Sequence, residues 1–140
     1  MHFVIPGAPF GKQRPKTTRR GKYAHAYTPE KTVSYENLVK LCYMAAAESA
    51  ESSLFSDEDE LRVEITAYYS IPKSTSKKKK AAMAENTVRP TKKPDIDNVI
   101  KVICDALNQI AYKDDSSIVE LLAKKYYSEE PRVEVTIEKI

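Results

Sequence analysis

The sequence predicts an α+β domain, a mixed sheet of about four strands with helices packed on it. Two stretches alternate apolar and polar side chains. Leu61, Val63, Ile65 and Ala67 interleave with Arg62, Glu64, Thr66 and Tyr68, and Val133, Val135 and Ile137 interleave with Glu134, Thr136 and Glu138. That is the period of half-buried strands. Between them Ile96, Val99, Ile100, Ile103, Leu107 and Ile110 recur at steps of three or four, the period of a helix with one apolar face. No internal repeat and no Gly/Ser linker divides the chain, so residues 1–140 are expected to form one domain.

Taken in order, Phe3 and Ile5 suggest a short first strand ended by Pro6-Gly7. Residues 7–27 then read as a long basic loop, and long loops in small domains usually carry function. A helix is expected from Thr28-Pro29, with Thr28 as N-cap and Pro29 in the first helical position, and Leu38, Leu41, Cys42 and Ala45 as its apolar face. It runs to about Ala50, and an acidic turn leads to the strand at Leu61. Pro72 ends that strand, and Ser74, Thr75 and Ser76 offer caps for a Lys-rich helix reaching to about Glu85. Four adjacent lysines oppose the dipole of that helix, so this segment is expected to order fully only against an anionic partner. An exposed loop with Pro90 and Pro94 precedes the motif helix, which spans about Ile96 to Asn108. Ile118 to Tyr127 is β-rich, and the turn at Glu130-Pro131 is short enough to make the last two strands a hairpin.

With 41% hydrophobic and 31% charged residues, the chain can bury a core without disulfide or metal staples. No apolar run approaches the roughly 18 residues of a membrane span. The opening Met1-His2-Phe3-Val4-Ile5-Pro6 is too soon interrupted for a signal peptide, and a cytoplasmic location is expected. Cys42 and Cys104 sit in helical patterns and read as buried apolar side chains. With only His2 and His25 to complete a site, Cys/His metal binding is not expected.

The net charge of +3 conceals a strong segregation. Lys12, Arg14, Lys16, Arg19, Arg20 and Lys22 fall in a stretch without acids. Lys73, Lys77, Lys78, Lys79, Lys80, Arg89, Lys92 and Lys93 face Glu85 alone over residues 73–93. The acids gather at Glu48, Glu51 and Asp57 to Glu60. Sorted charge of this kind builds a cationic face that draws polyanions, although any single cluster is equally a solvated surface. Tyr23, Tyr27, Tyr112, Tyr126 and Tyr127 are candidates for base stacking, with core packing as the ordinary alternative.

Within this cationic chain, Lys93-Pro94-Asp95-Ile96-Asp97-Asn98-Val99-Ile100-Lys101 sets two carboxylates at the start of the motif helix, and Asp114-Asp115 follow it. One Asp there is explained as an N-cap or a dipole partner; a pair joined by later acids is explained less well. The helix from Asp97 to Gln109 rises about 18 Å. The chain from Gln109 to Asp115 extends at most about 20 Å. Asp115 can thus just return to Asp97, or serve a neighbouring subunit. Converging carboxylates repel unless a cation stands between them. Mg²⁺, a hard oxygen-seeking ion, suits them, activating water and stabilising the leaving oxygen in phosphodiester hydrolysis, with Mn²⁺ as a substitute. Lys101, one turn beyond Asp97, is placed to neutralise phosphate charge; its ordinary alternative is a surface pair with Asp97 worth about 0.3–0.5 kcal/mol. Asp105 offers Lys101 another partner.

Lys93-Pro94-Asp95-Ile96-Asp97-Asn98, Lys101, Asp105-Ala106-Leu107-Asn108, Tyr112, Asp114-Asp115 and Ile118 together resemble the RusA family of Holliday-junction resolvases, in its phage and Gram-positive branch. The likeness extends to Phe3-Val4-Ile5-Pro6-Gly7, Lys12-Gln13-Arg14-Pro15, Ile71-Pro72-Lys73-Ser74 and Glu130 to Val135, and so covers nearly the whole chain. It implies a RusA-like fold and a homodimer that makes paired, Mg²⁺-dependent nicks in four-way DNA junctions. It places the essential aspartates at Asp95, Asp97 and Asp115 and the essential lysine at Lys101. A departure is Gln109, where many relatives carry Gly, so that Asn108 or Gln109 must end the helix, Asn tolerating the left-handed conformation better.

The sequence therefore predicts a structure-selective endodeoxyribonuclease of recombination and repair. Asp95, Asp97 and Asp115 would be its metal ligands and Lys101 would act on the phosphate. Lys12, Arg14, Lys16, Arg19, Arg20, Lys77, Lys78, Lys79, Lys80, Lys92 and Lys93 would hold DNA backbone. The alternatives are a non-catalytic protein that binds junctions or duplex DNA, and an RNA-binding protein whose acids only cap a helix.

Overall fold

Strand β4 (Leu61–Ser70) is the most buried strand in a computed structural model that describes residues 1–51 and 54–140. It lies inside a four-stranded sheet with β1 (His2–Pro6), β5 (Ile118–Ser128) and β6 (Arg132–Lys139), in the order β1-β6-β4-β5. β4 runs parallel to β5 and antiparallel to β6, and β1 closes the other side antiparallel to β6. The architecture is the expected α+β class with a mixed sheet.

The expected hairpin of the last two strands does not form. β5 and β6 are neighbours in sequence, but β4 lies between them, and the link Glu129–Pro131 steps over its end at Ser70. The link can do so because Ser128 to Arg132 spans up to about 13 Å, more than two strand spacings of about 4.8 Å. Alternation in β6 fixed which residues face the core but not the neighbouring strand. β4 alone is buried along most of its length, and burial on both edges draws it to the centre.

Three helices complete the layer: α1 (Glu30–Ser49), α2 (Lys77–Ala84) and α3 (Ile96–Leu107). Of the apolar stripe expected on α3, Val99 and Ile103 are fully buried and Leu107 nearly so, whereas Ile96, Ile100 and Ile110 are only partly buried; Val102, Cys104 and Ala106, outside that stripe, complete the buried face. They pack with Ile5, Val63, Ile65, Val133 and Val135 in one core, and Phe3 meets Tyr43 of α1 edge to face at 5.5 Å. Truncating Ile103 to Ala would cost about 2–5 kcal/mol. The Tyr112 hydroxyl donates to the Cys104 carbonyl at 2.9 Å, satisfying an acceptor near the end of α3.

The sequence expectations for α1 need two corrections. Pro29, with φ −56° and ψ 145°, is the capping residue, so helix begins at Glu30 and Thr28 lies outside it. The buried stripe is Thr32, Val39 and Tyr43, with Leu38 and Cys42 at its edge; Leu41 is 65% exposed and Ala45 also faces outward. Val33, Leu38, Val39, Leu41, Cys42, Met44 and three alanines spread apolar residues around this helix, and only packing selects among them. Part of the acidic turn after it lies outside the described residues.

Residues 7–27 are not an unbroken loop. They contain a two-stranded sheet of β2 (Lys16–Arg20) and β3 (Tyr23–Tyr27). Neither strand buries an apolar side chain, so neither announced itself by hydrophobic alternation. The helix stop after α3 falls on Gln109, with φ 65°, while Asn108 stays at φ −58°. The Gln109 amide donates to the Tyr112 carbonyl at 2.7 Å, and that tight turn fixes which residue goes left-handed.

Candidate active site

The start of α3 brings Asp95, Asp97 and Lys101 to one exposed end of the domain. Asp95 holds the N-cap position, with φ −65° and ψ 148°, and its carbonyl accepts from the Val99 amide. Its carboxylate makes no capping hydrogen bond. Asp97 lies in the first turn, where negative charge is favoured by the dipole. Among the described residues, Asp95, Asp97 and Lys101 enter no ion pair, so neither the Asp97–Lys101 surface pair nor the Asp105–Lys101 pair forms. Asp105 turns instead to Lys12, at 3.3 Å.

Groups that sequence patterns did not single out hold this motif in place. The Tyr69 hydroxyl, at the end of β4, donates to the Pro94 carbonyl one residue before Asp95. Burial, and then the nearby charge of Asp95, push that hydroxyl up to about 12. On the other side the basic loop passes so close that a Cβ on Gly11 would stand 2.9 Å from Pro94 Cβ and 3.2 Å from Asn98 Cβ. The Lys12 amide donates to the Asn98 carbonyl at 2.9 Å. Together they wall a cleft of about 390 Å³ lined by Pro9, Phe10, Gly11, Lys93, Pro94, Asp95 and Asn98. From β5, Lys125 donates to the Lys92 carbonyl at 2.6 Å and lies over the Tyr69 ring at 4.7 Å. Burial lowers its pKa, against the opposing pull of Asp95. A lysine inside a β pattern carries no sequence signal for such a place.

Asp115 lies elsewhere. Asp114 caps a single 3-10 turn, Asp115–Ser117, by accepting from the Ser116 amide at 3.1 Å. Asp115 is half-buried beside the last turn of α3. Burial first, and then the charges of Asp115 and Asp105, hold the Cys104 thiol up at about 11 even though a hydrogen bond with Tyr112 pulls it down. Nine residues of helix, about 13 Å, separate that turn from Asp95. Among the described residues, no group of three or more His, Cys, Asp or Glu side chains is arranged to hold a metal ion. Within one chain, then, Asp95 and Asp97 share an end of α3 and Asp115 marks the other.

Of the basic residues, Arg14, Lys16, Arg19, Arg20, Lys77, Lys78, Lys79, Lys80, Lys92 and Lys93 are all exposed. The four lysines open α2 on a regular helix capped by Ser76, whose hydroxyl accepts from the Lys79 amide, so the helix is formed in the protein alone. Lys12 differs from the rest. Its side chain is only 18% exposed, and its ammonium is held 2.8 Å from Glu36 and 3.3 Å from Asp105, which engages it inside the protein. Tyr112 is buried, whereas Tyr23 is 75% and Tyr27 47% exposed. No helix is long and apolar enough to cross a membrane among the described residues.

An Asp-x-Asp helix start thus lies beside exposed lysines on a mixed α+β sheet. The chain matches the family model of Endodeoxyribonuclease RusA over residues 6–138, nearly its whole length. It belongs to the RusA endodeoxyribonuclease family. It is also 38% identical over 142 residues to the uncharacterized protein YqaN of Bacillus subtilis (strain 168), covering 100% of this chain and 96% of that one.

Proposed function

We propose that this protein is a Mg²⁺-dependent endonuclease that resolves four-way DNA junctions by paired nicks in recombination and repair, acting as a homodimer. The observation that carries this is the state of Asp95: a residue in the capping position whose carboxylate does not cap, beside an equally unpaired Asp97. A purely structural N-cap would form that bond, which is typically worth about 1 kcal/mol. Two free carboxylates fit Mg²⁺, which takes one or two protein carboxylates and completes its shell with water and substrate phosphate. Mn²⁺ fits the same donors. When bound there, the ion supplies an activated water and charge stabilisation. Asp95 and Asp97 orient it, and Lys101, unpaired one turn along, balances charge on the scissile phosphate.

Asp115 would complete such a site from a second subunit. The first half of β5 supports this. β5 ends the sheet, Val119, Leu121 and Leu122 are exposed on it, and the α2 loop reaches only its second half, where Arg89 donates to the Lys125 carbonyl. Uncovered apolar edge strands invite pairing. Antiparallel pairing of two β5 edges centred near Glu120 would set Asp115 level with the partner's Lys125, the lysine that senses Asp95. A twofold dimer also matches the two symmetric strands of a junction.

The experiment is cleavage of an end-labelled four-way junction by purified protein with Mg²⁺ or Mn²⁺. Symmetric nicks, abolished in Asp97→Asn while junction binding persists, are expected. Tight binding with no cut in either metal would instead favour the non-catalytic junction- or duplex-binding protein.

A further inference from the structure

We infer that the β2–β3 hairpin is a ribbon arm that lies in the major groove of a duplex arm of the substrate and reads base edges there. This rests on the proposal that the substrate is branched DNA. All ten residues of the two strands are exposed, as is the linking turn Gly21-Lys22. Gly21, at φ 57°, supplies the positive dihedral that a two-residue hairpin turn demands. A two-stranded ribbon with no core is marginal by itself. Its form in the absence of packing points to a partner that covers it.

The register divides the ribbon into unlike faces. Lys16 pairs with Tyr27, Thr18 with His25 and Arg20 with Tyr23, and by alternation these six share one face. The other face carries Thr17 with Ala26 and Arg19 with Ala24. Hydrogen-bonding and cationic groups thus crowd one side, whereas the reverse side is small apart from Arg19. Residues 7–29 contain no acid, so the partner is anionic.

Size selects the groove. Two strands of five residues make a ribbon about 17 Å long. With side chains on both faces its breadth suits a major groove about 12 Å wide and exceeds a minor groove of about 6 Å. The polar face turned to the groove floor brings Arg20, with its fork of donors, and His25 to base edges, while Lys16 and Lys22 meet the flanking phosphates. The arm would then supply the cleavage-site preference that phosphate contacts cannot.

Dimethyl sulfate footprinting tests this, because it methylates guanine N7 in the major groove. The probe is a four-way junction with guanines placed along each arm, bound by the full chain. Wild-type protein should protect N7 positions on a duplex arm. The triple variant Arg20→Ala/Tyr23→Ala/His25→Ala should lose that protection and bind roughly tenfold more weakly, with an unchanged thermal midpoint because these side chains pack on no core. Thr17→Ala, on the opposite face, should keep the protection. Binding by wild-type protein that leaves every N7 reactive would overturn the arm and leave the nuclease proposal standing. Failure of the wild type to bind any junction would end both.

Discussion

Lys12 places its ammonium 2.8 Å from the Glu36 carboxylate and 3.3 Å from Asp105, tying the loop after β1 to both α1 and α3. Burial works against that charge most, but the bonds and fields of Glu36 and Asp105 together outweigh it and raise the pKa above the ordinary 10.5. A pKa raised on folding stabilises fully below the unfolded value and loses its effect as pH climbs through the folded one. Lys12→Ala should therefore cost about 1–3 kcal/mol at pH 7, since it leaves two half-buried carboxylates unpaired. Denaturant titrations at pH 7 and pH 11 should show the gap between variant and wild type narrowing at the higher pH.

Gln109, at φ 65°, occupies a conformation in which a Cβ is unfavourable. Gln109→Gly removes that strain, of about 1–2 kcal/mol, but frees the unfolded chain and deletes the side-chain bond to the Lys113 carbonyl. The net expectation is a gain of about 0.5 kcal/mol. A rise of one to a few degrees in thermal midpoint would agree with it, and a fall would show that the Lys113 bond outweighs the strain.

Asp95 and Asp97 make no capping bond and no ion pair among the described residues, so neutralising them should leave stability almost untouched. For Asp95→Asn the expected change is within about 0.5 kcal/mol; Asp97→Asn loses at most a dipole contribution of about 0.3–1 kcal/mol. Cleavage, by contrast, should fall at least about a hundredfold in each, the scale of losing one electrostatic contact to the reacting group. Paired measurements of melting and nicking check this. A large loss of stability in Asp95→Asn would mean that its carboxylate is structural.

What the sequence disclosed follows from the kind of signal each part carries. α3 is readable because six apolar residues and two acids repeat on opposite faces, although burial centres on Val99, Ile103 and Leu107 and extends to Val102, Cys104 and Ala106 rather than to Ile96, Ile100 and Ile110. β4 and β6 were readable by alternation, but their order in the sheet depends on which strand is buried on both edges, and no local pattern records that. The β2–β3 ribbon was invisible because it has no buried face. At the candidate site, Asp95, Asp97 and Lys101 are legible by their spacing along one helix. Tyr69, Gly11 and Lys125 are not, since each reaches the motif through tertiary packing. The same holds for Lys12, one cation among many by sequence and an internal tie in the fold.

Separation of Asp115 from Asp95 along α3 makes the composition of the site testable by mixing subunits. If each site combines Asp95 and Asp97 of one copy with Asp115 of the other, Asp97→Asn and Asp115→Asn homodimers are both inactive. In a heterodimer of the two variants, one site receives both substitutions and the other receives neither. Co-expressed and co-purified with different tags, such heterodimers should regain nicking of one junction strand at about half the wild-type level. If all three aspartates acted within one chain, each subunit of the heterodimer would carry a lesion and no activity would return. The same preparation should lose its restored activity when Leu121→Glu is added to both copies, because charge on the exposed edge of β5 opposes strand pairing, while the isolated fold tolerates a substitution at a side chain already 44% exposed.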